Sequence, residues 1–373
     1  MLRKPHQPRY VGIMICERGG ALPFPERDYF RKLCLLGHSL GMTVYIFSPE
    51  WVRFENNRTV GYTYNGKITA WEKSVFPLPN VLYDRCYYAN KMRYDLHAPL
   101  ISKLRKLKGI RFMGYGLKGK WDVQQALHNH ENMLPHLPYT ELYQTSRGLS
   151  SFLNTHGEAF LKPHAGSHGK GVMHLIKKAE STFELKGRNP QNSPFHITFR
   201  NEQTMLQWVR RFMGTRRYLI QEYLKLTTTE GEPYDIRSLV QKDGGGNWRT
   251  TGMAVRKGKQ GSITSNLAGG GHAEEVIPFL SNQFDQEQAD TILTVLNHLS
   301  STIPEALEQQ HGRLAELGID LGVDTQGRVW ILEVNSKPGR SVFTQLNDLN
   351  ARKNSVKYPI QYARYLLDRQ LGG

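Results

Sequence analysis

Apolar positions along the chain come in short bursts between polar turns, and the period within each burst predicts an element. YVGIMIC, from Tyr10, has the length and composition of a buried strand. Residues 26–41 carry Phe30, Leu33, Leu36 and Leu40 at helical spacing, and MTVYIF (42–47) returns to β-branched and aromatic residues. Strand, helix and strand at this spacing predict a small α/β domain at the head of the chain, with a further strand at NVLYDR (80–85). Beyond residue 115 the pattern predicts a short helix over 120–128, stopped by Pro135 and Pro138, and another over 148–154. A strand over 159–162 runs into KPHAGSHGKG and then into VMHLI. Helical spacing recurs over 201–212, and 218–222, 235–240 and 249–256 read as strands. Residues 291–317 read as a helix broken at Pro304, 319–334 as strand, turn and strand, and 354–371 as a terminal helix. No internal repeat or low-complexity tract interrupts this order.

Composition narrows the class. The chain has 373 residues, 39% of them hydrophobic, enough for two or three domains with ordinary cores. No apolar run approaches the roughly 20 residues that span a bilayer, and no signal-peptide pattern follows Met1. The expectation is a soluble cytoplasmic protein. Cys16, Cys34 and Cys86 are the only cysteines, without CxxC or zinc-ligand spacing, so they read as small buried hydrophobes. The formal net charge is +16, and residues 91–120 hold nine Lys or Arg against one acid, Asp95. Such a field fits a phosphate-bearing small molecule, nucleic acid, an acidic polymer or an anionic surface, and equally a solvated basic face.

Four stretches carry candidate chemistry. In WILEVNSKPG (330–339), Glu333 and Asn335 leave one face of a strand, and Asp320 stands thirteen residues before Glu333 across the turn material 324–327. If Val323 pairs with Arg328, Asp320 lies opposite Ile331 and three oxygen-bearing side chains share a face, a donor set for a hard dication that also binds phosphate. Alone, the Glu-x-Asn pair reads as well as a strand end at a surface loop. In FLKPHAGSHGKG (160–171), Gly166, Gly169 and Gly171 let backbone approach an anion, with Lys162 and Lys170 at the two ends; a plain hairpin loop is the competing reading. YLIQEYL (218–224) can present a strand-end backbone to a planar heterocycle, though an ordinary core strand explains it too. Arg237 in DIRSLV and Arg256 in AVRKG interrupt strands, as anion-holding cations or as cross-strand ion pairs.

The order of these pieces resembles the ATP-grasp superfamily over residues 115–345, and NVLYDR, GKWDVQQAL, FLKPHAGSHGKGV, YDIRSLVQ and GIDLGVDTQGRVWILEVNSKPG together resemble its YheC/YheD family, associated with the endospore coat of bacilli. The resemblance implies an α/β (α+β) ATP-grasp fold with an N-terminal α/β pre-ATP-grasp-like domain. Its implied divisions are 1–114, an N-terminal and lid subdomain over 115–225, and a metal-bearing C-terminal subdomain over 226–373. It implies ATP with Mg²⁺ or Mn²⁺ as cofactors. Phosphates would be held by Lys120, Lys162 and the loop of Gly166, Ser167, Gly169, Lys170 and Gly171. Glu222, Tyr223 and Leu224 would form the adenine hinge, and Asp320, Glu333 and Asn335 the metal ligands. Arg256, Arg237 and Asn266 would act on the transferred phosphoryl group, and the ribose acid stays open between Glu230 and Glu232. The implied activity is ligation of a carboxylate, through an acyl phosphate, to an amine or other nucleophile. The implied partners are an unidentified carboxylate substrate, an acidic peptide or polymer among the candidates, and coat proteins. A non-catalytic, nucleotide-binding coat protein is the second reading. A nucleic-acid binder with steep salt dependence is the third, and nucleic acid is the less expected partner.

Overall fold

The computed structural model describes residues 9–88, 90–166, 169–179, 181–263, 265, 270–346 and 348–371. The strand, helix and strand expected at the head are β1 (Tyr10–Met14), α1 (Arg27–Ser39) and β2 (Thr43–Phe47). They are followed by β3 (Val52–Arg53), β4 (Arg58–Asn65), β5 (Ala70–Pro77), β6 (Val81–Asp84), α2 (Lys91–Lys106) and β7 (Arg111–Phe112). The resulting sheet has the order β3-β4-β2-β1-β6-β7, with β5 paired to β4. Strands β2, β1, β6 and β7 are parallel, so β1 and β6 flank the point where connections leave the sheet in opposite directions. The β4–β5 hairpin has no counterpart in the apolar pattern because half of β5 is exposed, none of it is buried, and its sequence, AWEKSVFP, has no apolar period.

A six-stranded antiparallel sheet follows α3 (Lys120–His128) and comprises β8 (Thr140–Leu142), β9 (Glu158–Pro163), β10 (Met173–Ala179), β11 (Thr182–Arg188), β12 (Pro194–Phe199) and β13 (Tyr218–Gln221). Helices α4 (Ser146–His156) and α5 (Glu202–Met213) pack against it. In α5 the Asn201 side chain caps the Thr204 N–H, and Met205, Val209 and Met213 recur every fourth residue to form the buried face. The third sheet contains β14 (Tyr234–Lys242), β15 (Trp248–Lys257) and β16 (His272–Glu274), then, after helices α6 (Val276–Gln283) and α7 (Gln286–His311), β17 (Glu316–Val323) and β18 (Val329–Asn335). Helices α8 (Ser341–Gln345) and α9 (Leu349–Leu371) end the chain.

Two expectations change here. Helix α7 runs through Pro304 without breaking: Ile292, Leu296, Leu299, Ile303 and Leu307 bury one continuous stripe against the third sheet, and that packing outweighs the missing N–H. The β17–β18 hairpin pairs Val323 with Val329, not Arg328, because Asp324 N–H donates to the Arg328 carbonyl (3.0 Å) and widens the turn. Gly327, at φ 82°, supplies the left-handed residue in that turn. A bulge between Asp320 and Leu321 then places Asp320 opposite Glu333, so both still share a face. No helix among the described residues is long and apolar enough to cross a membrane.

The sheets are tied together at Glu316, 3% exposed at the start of β17. Its Oε1 accepts from Tyr83 Oη (2.5 Å) and Arg85 Nη1 (2.9 Å), and its Oε2 from Gln241 Nε2 (3.0 Å) and Arg340 Nη2. Burial would raise its pKa, but Arg340 and Arg85 hold the carboxyl below the usual range. Removing one member of such a buried set strands the rest, so Glu316→Ala is expected to lose about 3–5 kcal/mol of stability in urea unfolding at pH 7. A loss below about 1 kcal/mol would contradict the clamp. Because the folded pKa is lowered, this contribution is complete above the unfolded value of about 4.3 and is lost as pH falls, so variant and wild type should converge in acid.

Candidate functional site

A cleft of about 470 Å³ opens between α3, the end of β9 and β18, and Lys120, Lys162, Gly166, Glu333 and Asn335 all line it. Lys120 is the first residue of α3, preceded by Gly119, over which the His164 ring packs so closely that a Cβ would lie 1.9 Å from Cε1. This contact, with Lys120 N–H donating to the His164 carbonyl (3.3 Å), docks the glycine-rich loop on the helix N-terminus. Gly166, Gly169 and Gly171 have φ of 149°, 66° and 73°, conformations that favour glycine, and Lys170 is exposed. Ser167 lies outside the described residues.

Strand β9 alternates buried and half-buried residues and turns Lys162 into the cleft. Its Nζ donates to Gln221 Oε1 (3.1 Å) and to the Leu332 carbonyl (3.3 Å), while Gln221 Nε2 donates to Thr140 Oγ1 (2.8 Å). Burial, with the charge of Lys120 adding to it and that of Glu333 opposing, brings the Lys162 ammonium down to about 8. Lys120 makes an ion pair with Glu333 Oε2 across the cleft. Gln221, His164 and Gly119 are site residues that sequence reasoning missed; for Gln221, a polar side chain inside an apolar strand was the available signal.

Behind the cleft, one face of the third sheet carries a row of charges set by strand register, two arginine–carboxylate pairs followed by two carboxylates side by side. Arg256 is opposite Asp235, Arg237 opposite Asp320, and Asp320 opposite Glu333. Arg256 donates to both Asp235 oxygens (2.6 Å each) and approaches Asp320 Oδ1 (3.0 Å). Arg237 holds Asp320 through Nε and through Nη2 (3.0 Å). Against the opposing effect of burial, these two guanidinium groups bring the Asp320 carboxyl down to about 2. The arginines thus make cross-strand ion pairs on a face that is buried, with Arg256, Asp235 and Asp320 all below 9% exposed. Among the described residues, no three His, Cys, Asp or Glu side chains group as a metal site; Asp320 and Glu333 are paired across β17 and β18, and Asn335 stands two residues after Glu333.

Glu222 and Tyr223 line a second recess of about 290 Å³ with His156, Glu158 and Lys225. Glu222 Oε1 accepts the Tyr139 N–H (2.7 Å), and the Tyr223 ring stacks on His174 with centroids 3.6 Å apart. Leu224 follows them, its carbonyl accepting from Leu226 N–H (3.0 Å). Glu232 pairs with Lys257 (2.9 Å). Asn266 lies outside the described residues.

The profile of YheC/D like ATP-grasp proteins matches residues 109–366. The endospore coat-associated protein YheC of Bacillus subtilis (strain 168) is 28% identical over 348 residues, 92% of this chain and 94% of that protein. Among solved structures, the D-cycloserine synthetase DcsG superposes with a TM-score of 0.55 at 12% identity, covering 96% of this chain and 99% of that one. The D-alanine-D-alanine ligase from Coxiella burnetii gives 0.54 at 9%, covering 98% and 95%. At these identities the structural likeness speaks to the fold, and it bears out the expected α/β ATP-grasp architecture over nearly the whole chain.

The Lys162 ammonium is held where burial opposes its charge. Lys162→Met is therefore expected to unfold within about 1 kcal/mol of wild type at pH 7. A much larger loss would make Lys162 a structural cation rather than a group reserved for a ligand.

Proposed function

The chain belongs to the YheC/D-like ATP-grasp family, and on that premise we propose that it is an ATP- and Mg²⁺-dependent ligase that activates a carboxylate as an acyl phosphate and joins it to an amine or other nucleophile. The observation that carries this reading is the convergence of Lys120, Lys162, Glu333 and Asn335 on one cleft. With the row behind it, the site holds four cations, Lys120, Lys162, Arg237 and Arg256, against three carboxylates, Asp235, Asp320 and Glu333. That excess suits a polyanion. Glu333 and Asn335, backed by Asp320, offer the oxygen donors that a phosphate-bound hard dication takes, and Mg²⁺ or Mn²⁺ would supply charge neutralisation there.

Within this reading, Lys120 and Lys162 hold phosphate oxygens, and the loop of Gly166, Ser167, Gly169, Lys170 and Gly171 serves the same phosphates through backbone N–H groups and the Lys170 charge. Glu222, Tyr223 and Leu224 present the adenine hinge through their backbone, since the Glu222 carboxylate already serves Tyr139. Arg256 and Arg237, with Asn266, offset charge as the terminal phosphoryl group moves to the carboxylate. The substrate belongs to a bacillar coat or wall chemistry, an acidic peptide or polymer being the form that the basic chain favours. A second reading, a nucleotide-binding coat protein without turnover, is favoured by one observation: both Asp320 oxygens are taken up by arginines.

MgATP is expected to raise the melting temperature, by the equivalent of about 2.7 kcal/mol at a hundredfold excess over Kd, and Glu333→Ala to abolish the shift. An unchanged shift in that variant would remove Glu333 from the metal set. ADP release across a panel of amino acids and acidic peptides, with mass detection of the joined product, separates the two readings: tight MgATP binding with no ADP release on any of them would support the second.

A further inference from the structure

The C-terminal ends of β1 and β6 hold a cluster that the ligase reading does not use. The parallel register ends at Met14 opposite Asp84, and Arg85 N–H still donates to the Met14 carbonyl (2.8 Å). Cys16 and Cys86 each lie two residues beyond that pair and share one core cluster, and each shifts the titration of the other. Cys16 Sγ lies 3.3 Å from His97 Nδ1, and His97 Nε2 lies 2.8 Å from Glu50 Oε2. His97 is fully buried on α2, while Glu50 sits in the turn Pro49–Trp51 and reaches solvent. With Nε2–H given to Glu50, the imidazole turns an acceptor toward the thiol.

The surroundings separate the three cysteines. The hydrogen bond from Cys86 lowers the Cys16 thiol, burial opposes it, and His97 and Lys337 lower it further, to about 7. Burial pushes Cys86 up, with the Cys16 thiol and the Asp84 carboxylate adding to it, and burial pushes Cys34 to about 12. Tyr88 also faces the pair, and Lys337 Nζ binds Asp84 Oδ1 (2.8 Å) and the Cys86 carbonyl (2.9 Å). Cys16 is the most exposed of the three, at 9% against 3% for Cys34 and 2% for Cys86. All three cysteines are buried in core clusters, as expected of small hydrophobes, and Cys16 alone among them also meets a histidine.

We propose that Cys16, activated by His97 and Glu50 and resolved by Cys86, is a thiol–disulfide exchange site whose substrate class is a low-molecular-weight disulfide such as oxidised glutathione. The Cys16 thiol passes its proton to His97 and attacks one sulfur of the disulfide. A mixed disulfide forms, the sulfur–sulfur bond of the substrate breaks, and the departing thiolate takes the proton from His97. Cys86 then attacks the Cys16 sulfur, closing a Cys16–Cys86 disulfide and expelling the second small thiol with the Cys86 proton. Two protein thiols are oxidised and one small disulfide is reduced to two thiols. Carried two residues beyond Met14 and Asp84, the parallel spacing of about 4.8 Å lies inside the Cα separation of about 4.4–6.8 Å that a disulfide spans. An intracellular disulfide of this kind is a transient exchange site rather than a structural staple.

The test uses the full native chain, with peptide mass spectrometry after iodoacetamide at graded pH. Cys16 should alkylate with a midpoint near pH 7 while Cys34 stays unmodified, and His97→Gln should slow the Cys16 reaction at pH 7 by about tenfold. Oxidised glutathione should give the Cys16–Cys86 disulfide in the wild type and a persistent glutathione adduct on Cys16 in Cys86→Ala. The proposal is overturned if native Cys16 alkylates no faster than Cys34, or if glutathione leaves wild-type Cys16 and Cys86 both reduced. The alkylation profile and disulfide map are read on the wild type, so a variant that fails to fold does not remove the test.

Discussion

The buried carboxylate of Glu316 is the contact on which the arrangement of the rest depends. It receives Arg85 and Tyr83 from the first sheet, Gln241 from the neighbouring strand of the third, and Arg340 from the loop beyond β18. An isolated buried carboxylate would be unstable, but here each oxygen accepts at least one charge-assisted bond. Arg85 also donates to the Pro338 carbonyl (3.1 Å), and Arg340 lies over the Tyr29 ring at 4.2 Å. The segment from Ser336 to Arg340 is thereby fixed at its far end, and Ser336 Oγ accepts the Leu117 N–H at its near end (2.9 Å). Asn335, which lines the cleft, emerges from a strand whose exit cannot drift. Glu316 and Asp320 lie on the same face of β17, about 13 Å apart at 3.3 Å per residue, so the interlocking of sheets and the placing of the site share one strand.

The charged row on the third sheet follows from the same logic. A lone arginine on a buried strand face would be costly; here each arginine has a carboxylate opposite it at the distance that strand pairing imposes. The row runs from Arg256 through Asp235, Arg237 and Asp320 to Glu333, and Lys120 completes it from another layer. Each member is balanced within the protein, yet the last, Glu333, is only half-buried and is balanced by a lysine on a long flexible stem. That end can exchange its partner at the lowest expense, and it is the end that faces the cleft.

How far the site was legible depends on which period governs each residue. The grouping of Asp320, Glu333 and Asn335 followed from the two-residue period of strands, and it survives although the assumed pairing of Val323 with Arg328 was wrong. A wider turn shifted the register and a bulge shifted it back, neither being visible in a pattern of apolar positions. Lys162 was legible as the cation at the head of the glycine-rich loop, and the alternation of β9 with buried Leu161 and Pro163 is what turns it into the cleft. Where the regular element ends, the periodic argument ends too. Glu222 and Tyr223 follow the last residue of β13, and their side chains turn to Tyr139 and His174 instead of the Lys162 cleft. Contacts between layers, such as Glu316 with Arg85 across 231 positions, have no local signature at all.

Lys337 joins the two chemical regions of the molecule. It lies two residues after Asn335, and its ammonium reaches the first sheet to bind Asp84 and the carbonyl of Cys86. Tyr94 on α2 lines the cleft, and His97, one helical turn further on, approaches the Cys16 thiol. The end of β18 with the loop after it, and helix α2, therefore each carry a residue at the cleft wall and one in hydrogen-bond contact with Cys86 or Cys16. The segment that carries Asn335 is anchored where Lys337 meets the ends of β1 and β6. The cleft and the thiol pair are thus built on shared supports, helix α2 and the loop after β18.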